Sequence, residues 1–179
     1  MRQPVDSCPS EFVSELAAPD KVVLSMTAQR IEIRHASKDD SDEVSQLIIR
    51  TLRSSSAKEY SAAIIANVEL SFSPSSVQRL MAKRKVFVAS DNGRIVGTGS
   101  LDGKAVRMMF VLPEFQGRGI GTQLMQRIEA LARENGVDVL TVPSSITAVA
   151  FYGALGFKFV HERWHGKEKT LIMERDLRP

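Results

Sequence analysis

The stretch "VLPEFQGRGIGTQLM", residues 111–125, is the most informative part of this sequence, because three of the chain's eleven glycines fall within five of its positions. They are Gly117, Gly119 and Gly121, and they separate an apolar β-type run from an amphipathic helical one. Glycine is required where the backbone takes a positive φ angle or where a ligand approaches it closely. Free N–H groups and the helix dipole at such a turn favour phosphate binding, although a tight connection without a ligand has the same composition.

The spacing of these glycines disfavours two common nucleotide sites. A dinucleotide-binding turn needs G-x-G-x-x-G and an acidic residue after the next strand, but here the pattern is G-x-G-x-G and that strand ends Leu140, Thr141, Val142. A P-loop needs G-x-x-x-x-G-K-[ST], and the nearest stretch, "GTGSLDGKA", has Thr98 and Ala105 at two required positions. Another phosphate compound is therefore expected.

Composition predicts one domain with a sizeable core, since 43% of the 179 residues are hydrophobic. The net charge of +3 is spread along the chain, and its one dense cluster, Lys83–Lys85, lacks interleaved aromatic residues. A solvated surface, or a field that attracts an anionic small ligand, explains this charge better than nucleic-acid binding. A lone Cys8 and the three histidines, at positions 35, 161 and 165, match no metal-ligand spacing, so no metal is expected.

The hydropathy of the chain and its first residues suggest a cellular compartment and a domain boundary. No stretch has the roughly 18 consecutive apolar residues of a membrane span, and the first residues do not resemble a signal peptide, so the cytoplasm is the default compartment. Residues 1–29 show no sustained period and are interpreted as a flexible or loosely docked extension. Residues 30–179 are expected to form a single domain.

The first half of that domain reads as a strand followed by helices. Ile31 and Ile33 alternate with polar residues, as in a half-buried strand, and Ser37 with Asp40 resembles a capping box that opens a helix. A second helical stretch is expected over residues 60–70, and Ser73 followed by Pro74 marks a third helix start.

The second half is richer in strands. "VFVAS", "RIVGTGSL" and "AVRMMFVL" are separated by the turn signals "DNG" and "DGK", which predicts an antiparallel meander. A long helix that stops at Asn135-Gly136 follows the glycine turn, and "VDVLTV" is then typical of a strand buried on both faces. A short helix closed by Gly156 and two final strands, "FKFVHERW" and "KTLIMERDL", complete a mixed α+β domain.

These residues resemble the GNAT superfamily of N-acetyltransferases. Its signature Q/R-x-x-G-x-G/A is matched by Gln116, Gly119 and Gly121, and "AVAFYGALGFK" is similar to the family's later motif A-x-x-F-Y-x-x-L-G-F. The resemblance covers about residues 30–176. It implies a GNAT-like α+β fold with a mixed sheet of about seven strands and about four helices. That sheet would be splayed between the strand before the glycine loop and the strand after the following helix.

The resemblance also implies that acetyl-CoA is the co-substrate. The backbone from Gln116 to Gly121 would hold the CoA pyrophosphate, and Tyr152 would act as the general acid that protonates the departing thiolate. From the residues alone, a core tyrosine of an amphipathic helix is the favoured interpretation of Tyr152, and the motif match reverses this preference. The cofactor-binding residues implied are Phe110, Val111, Gln116, Gly117, Arg118, Gly119, Ile120, Gly121, Thr122, Ser145 and Phe151.

Two positions depart from the family's pattern. A glutamate that often acts as base on the strand before the loop is Met108 here, and a frequent asparagine before the tyrosine is Ser145, which can serve CoA or cap the short helix. Glu69, His161, a water molecule or no base at all remain open. A non-catalytic acyl-CoA sensor is the alternative function.

The acceptor is expected to be a small-molecule or peptide amine, with no nucleic acid and no membrane as partner, and a homodimer is left open. An aromatic or aliphatic acceptor body is favoured over a polycation, since the candidate pocket residues are apolar. The pair Trp164 and His165 is interpreted as hairpin decoration rather than as part of that pocket. The apolar candidates are Ile64, Ile65, Val68, Leu70, Phe72, Met108 and Phe110.

Overall fold

The computed structural model describes residues 31–56, 66, 69–165 and 168–178. The extension predicted for residues 1–29 lies outside them, as does most of the helical stretch predicted for residues 60–70, of which residues 66 and 69–71 are helical. Seven strands and four further α-helices lie within this part of the chain. They are β1 (Glu32–His35), α1 (Ser41–Ser56), α2 (Pro74–Lys83), β2 (Lys85–Asp91), β3 (Arg94–Asp102), β4 (Ala105–Val111), α3 (Ile120–Glu134), β5 (Val139–Ser144), α4 (Val149–Ala154), β6 (Lys158–His165) and β7 (Glu168–Asp176).

The strands form one mixed sheet in the order β1-β2-β3-β4-β5-β7-β6. All neighbours are antiparallel except β4 and β5, which are parallel. The predicted hairpin turns are present, with positive φ angles at Asn92 (50°), Gly93 (82°) and Gly103 (61°). The predicted seven-stranded α+β fold is therefore confirmed.

Two glycines bring α3 directly onto β3. A Cβ atom at Gly97 would lie 3.1 Å from Ile120 Cγ2, and one at Gly99 would lie 3.0 Å from Ile128 Cδ1. Both distances are tighter than ordinary packing allows, so the missing side chains set the spacing of helix and sheet. Because successive residues of a strand point to opposite faces, Thr98 and Ser100 point away from α3, towards the face on which α1 packs.

The capping signal in the sequence is found at a 3-10 turn, Lys38–Asp40, that leads directly into α1. The Asp40 carboxylate accepts hydrogen bonds from the Ser37 backbone N–H at 2.7 Å and from the Arg34 guanidinium at 2.7 and 2.8 Å. The Arg34 guanidinium, together with the Ser37 N–H, lowers the pKa of Asp40 to about 2. One face of α1 is apolar and packs into the core, since Val44, Leu47 and Ile48 are buried.

The prediction that β5 is buried on both faces was wrong. Its burial alternates, with Leu140, Val142 and Ser144 buried and Val139, Thr141 and Pro143 only partly so. A parallel strand is covered on both faces when it pairs along its length between helices. This strand pairs with its parallel neighbour at a single position, and the open space beside it leaves half of its side chains partly exposed.

Candidate functional site

A cleft opens between β4 and β5. The two strands pair only at Ala105 and Thr141, where the Thr141 N–H donates to the Lys104 carbonyl at 2.9 Å. Beyond that point β4 pairs with β3 alone and β5 with β7 alone, so their facing backbone groups have no strand partner. The resulting cleft has a volume of about 790 Å³, and it confirms the predicted splay of the sheet.

The glycine loop lies at the open end of this cleft. Gly117 and Gly119 both have φ near 75°, and a Cβ atom built on either would meet nothing within 4 Å. Backbone conformation, rather than crowding by the protein, is therefore what requires glycine at these two positions. The Gln116 side chain donates to the Val111 carbonyl at 3.0 Å, which ties the loop back to the end of β4.

The first turn of α3 presents backbone donors beside this loop. The earliest helical hydrogen bond joins Gln123 N to Gly119 O at 3.0 Å, so the amides of Ile120, Gly121 and Thr122 precede the helical ladder. Three N–H groups at the positive end of a helix dipole form an anion-binding site. A Cβ at Gly121 would lie 3.0 Å from the Phe151 ring, so this glycine lets α4 pack against the start of α3.

Tyr152 on α4 belongs to both the core and the cleft. It is only 5% exposed, and its ring makes edge-on contacts with Phe151 and Phe157 at centroid distances of 5.1 and 5.7 Å. It also lines the cleft. Burial raises the pKa of Tyr152 above its ordinary value, so the phenol keeps its proton across the neutral range.

The structure brings together all of the predicted site residues except Arg118. Phe110, Val111, the loop and helix positions from Gln116 to Thr122 other than Arg118, Ser145, Phe151 and Tyr152 line one cleft. The Arg118 guanidinium instead lies 4.8 Å from the centroid of the Phe115 ring. Ser145 stands at the N-cap position of the helical turn Ile146–Ala148, where its hydroxyl bonds the Thr147 hydroxyl at 3.0 Å and makes no capping hydrogen bond to a backbone N–H.

The residues that line the cleft limit which side chain can act as the general base. None of its lining residues in the described ranges is an aspartate, glutamate or histidine. Glu69 is held by Arg53, with Arg53 Nε and Glu69 Oε1 2.6 Å apart, and this hydrogen bond lowers the pKa of Glu69. His161 is exposed on β6. Over the same ranges, no group of three potential ligands is arranged to hold a metal ion.

The apolar candidates for the acceptor pocket divide into two groups. Phe72, Met108 and Phe110 line the cleft, whereas Leu70 is exposed and does not. Ile64, Ile65 and Val68 lie outside the described residues. Trp164 is exposed on β6, 5.8 Å from the Lys169 ammonium, as expected for hairpin decoration.

Sequence reasoning missed Arg84 and Arg107, which are the charged side chains among the described residues of the cleft wall. The signal for Arg107 was present, because an arginine interrupts the otherwise apolar run "AVRMMFVL". Arginine is seldom buried in the middle of an inner strand unless its charge has a partner.

The comparison with known families shows that this splayed sheet and glycine-rich helix start belong to an acyltransferase. A family model described as "Acetyltransferase (GNAT) domain" matches residues 56–171, and the chain belongs to this family. Enzymes of the family use acetyl-CoA and act on amine acceptors.

Individual relatives agree with this assignment. The uncharacterized N-acetyltransferase YafP of Escherichia coli is 29% identical over 133 residues, covering 74% of this chain and 85% of that protein. The glucosamine 6-phosphate N-acetyltransferase of Trypanosoma brucei brucei is 32% identical over 110 residues, covering 55% and 74%. PaiA N-acetyltransferase of Thermoplasma acidophilum, solved in complex with coenzyme A, has the same fold, with a TM-score of 0.73 at 19% identity over 82% of this chain and 99% of that one.

No helix in the described part of the chain is both long and apolar enough to cross a membrane.

Proposed function

We propose that the chain transfers an acetyl group from acetyl-CoA to an amine by direct attack within a ternary complex. The observation that carries this proposal is the continuity of the cleft, which joins the anion-binding start of α3 to the unpaired edge of β4 and to Tyr152. We also propose that residues 30–179 form one acetyltransferase domain, that residues 1–29 are an extension to it, and that the protein is cytoplasmic.

The residues of the cleft suit the chemical groups of acetyl-CoA, and they follow one another along the cleft in the same order as those groups in the molecule. The amides of Gly117 and Gly119 and of the first turn of α3 would hold the pyrophosphate, where the glycine backbone leaves room for it. The unpaired edge of β4 at Phe110 and Val111 would pair with the amides of the pantetheine arm. When bound, acetyl-CoA supplies a thioester carbonyl that is open to attack by an amine.

Tyr152 would hold a proton at its phenol oxygen and deliver it to the departing sulfur. Its burial supports this role, because the raised pKa keeps the phenol protonated at the pH at which an amine acceptor reacts. Since no carboxylate or imidazole lines the cleft in the described ranges, we propose that the acceptor enters as the free amine or loses its proton to water.

The experiment that tests the proposal is a thermal melt with acetyl-CoA, CoA, NAD and ATP in parallel. A ligand at about 100 times its Kd adds about 2.7 kcal/mol of stability, which for a domain of this size is roughly 5 to 10 °C. We expect this shift with acetyl-CoA and CoA but not with NAD or ATP. No shift with acetyl-CoA at saturation would contradict the proposal. A shift should be followed by a screen of amine acceptors for release of CoA thiol.

A further inference from the structure

The wall of the cleft contains two arginines and, in the described part of the chain, no acidic residue. Arg84 is already paired, because its Nε atom lies 2.9 Å from Asp102 Oδ2. Arg107 is different. Its Nε atom is buried and has no hydrogen-bond partner, and no ion pair to its guanidinium occurs among the described residues.

A buried donor without a partner is costly, and for a charged group the cost is larger. Native structures satisfy the great majority of such groups, so an exception calls for an explanation. The backbone of Arg107 is well fixed, since its carbonyl accepts a hydrogen bond from the Ser100 hydroxyl at 3.0 Å. The guanidinium is thus held on a fixed strand, beside a cleft, with capacity for a further acceptor.

A β-bulge gives Arg107 its direction. In the β3–β4 register Phe110 lies opposite Thr98 and Arg107 opposite Ser100, so Gly99 alone faces both Met108 and Met109. Residues 107 and 110 would point to opposite faces of a regular strand, but the extra residue places both on the face of Thr98 and Ser100. Met108 takes the strained conformation that this requires, with φ of 51°.

Aromatic residues share that face. Phe110 meets Phe72 edge-on, with ring centroids 5.9 Å apart, and the carbonyl of Phe72 is fixed by the Ser45 hydroxyl at 2.6 Å. All of Phe72, Phe110 and Arg107 line the cleft. An apolar surface and a cation therefore lie on the side of the sheet that faces α1, away from α3.

Arg107 is also far from the glycine loop. Val111, at the open end of the cleft, is four positions further along the chain, and because of the bulge this stretch spans only three positions of β3, from Ser100 to Gly97, or roughly 10 Å. Arg107 lies two positions from Ala105, where the cleft closes against Thr141. An anion at Arg107 is therefore a different group from the pyrophosphate held at the start of α3.

We infer that Arg107 binds an anionic group of the acceptor, so that the substrate is an amine that also carries a carboxylate or a phosphate. This inference rests on the proposed acetyl transfer and specifies its substrate class. The planar guanidinium fork suits both anions, which accept paired N–H bonds from it. The aromatic pair Phe72 and Phe110 contacts the apolar part of the same molecule.

The first test measures binding to the full chain saturated with CoA, so that the pyrophosphate loop is already filled. Phenylacetate and phenyl phosphate supply the two anions, and phenylacetamide is the neutral control. We expect at least one anion, but not the amide, to raise the melting temperature further, and the responding anion identifies the group. Arg107→Gln should lose this response and Arg107→Lys should keep part of it. The matched control Arg127→Gln removes an exposed arginine outside the cleft and should respond as the wild type does.

The second test measures kcat and KM for matched acceptors, phenylalanine against phenethylamine and glucosamine 6-phosphate against glucosamine. The wild type should prefer one anionic member, and Arg107→Gln should reduce that preference in kcat/KM by about 10- to 100-fold, mainly through KM. Equal response to anionic and neutral ligands in both tests, or an unchanged preference in Arg107→Gln, overturns the inference.

If CoA itself gives no shift, the proposed function fails instead, so the two failures are distinguishable. A CoA shift retained by each variant shows that it is folded.

Discussion

The phenol of Tyr152 lies where the packed core meets the cleft, so its interpretation as a core tyrosine is confirmed and its role as general acid stays a proposal. Phenylalanine at this position retains the ring contacts with Phe151 and Phe157 and removes only the proton donor.

We expect Tyr152→Phe to lower kcat about 10²-fold or more while the Kd for acetyl-CoA changes little, because a general acid acts after binding. Single-turnover kinetics and a CoA melt measure the two quantities. Since burial raises the pKa of Tyr152, the wild-type rate should show no titration of this phenol in the neutral range. Unchanged kcat would leave Tyr152 as a packing residue alone.

Gly119 offers a second test at a single residue, because its φ of 75° is a conformation that other L-residues adopt only at a cost. Gly119→Ala should cost about 1 to 2 kcal/mol of stability and weaken acetyl-CoA binding at least tenfold, as the loop amides turn away from the anion. Gly153→Ala is the matched control, since this helical glycine has nothing within 4 Å of its Cβ direction. Equal affinity in the two variants would contradict a role of the loop in binding.

At the scale of the elements, the start of the helical segment that includes α1 is specified by a capping pair that can be read directly from the sequence. Ser37 and Asp40 are three residues apart, and Arg34 reaches the same carboxylate. Contacts over so few residues need little tertiary information, which is why this helix start was predictable.

Asp40→Asn should destabilise the protein by about 1 kcal/mol at pH 7, a modest value because Arg34 is 40% exposed and water screens the pair. The folded pKa of about 2 lies below the ordinary value of 3.8, so this stability is present above about pH 4 and is lost as the pH falls through 2. Urea unfolding at pH 7, 4 and 2.5 measures it. A difference between variant and wild type that does not shrink with falling pH would contradict this account.

The strands β4 and β5 have features that could not be predicted from neighbouring residues in the sequence. Both were found from their apolar runs, but neither the bulge at Met108 nor the alternating burial of β5 has a local signal. The bulge depends on the register between β3 and β4, and the burial of β5 depends on how far it stays paired with β4. Arg107 does interrupt an apolar run in the sequence, but the direction of its side chain follows from the bulge, so its place in the cleft could not be predicted locally.

At the scale of the whole molecule, the sheet consists of two halves, β1–β4 and β5–β7, joined by one residue pair. Helix α3 packs on the first half and reaches the second through two charged side chains. Its buried Glu129 forms an ion pair with Arg175 on β7, and Arg133 donates to the Leu177 carbonyl at 3.5 Å. These contacts link the halves on either side of the cleft.

Arg175→Met should lower the stability by about 2 kcal/mol, because among the described residues it leaves the Glu129 carboxylate, 8% exposed, with only the more distant Arg133 at 3.8 Å. Chemical denaturation gives the difference. The control Arg178→Met breaks a pair of exposed side chains and should leave the midpoint within error. A similar effect of both changes would show that Glu129 and Arg175 contribute no more than a surface pair.

The sequence by itself determined the family, the order of the elements, the capping box of Ser37 and Asp40 and the glycine loop, because each of these depends on residues close together in the chain. The tertiary structure alone decided where the sheet splits, which cleft the loop opens into and how Arg107 comes to lie beside Phe72 and Phe110. These depend on strand register and on contacts between distant segments. A shift of the register by one residue would turn the side chains of a strand to the opposite face of the sheet.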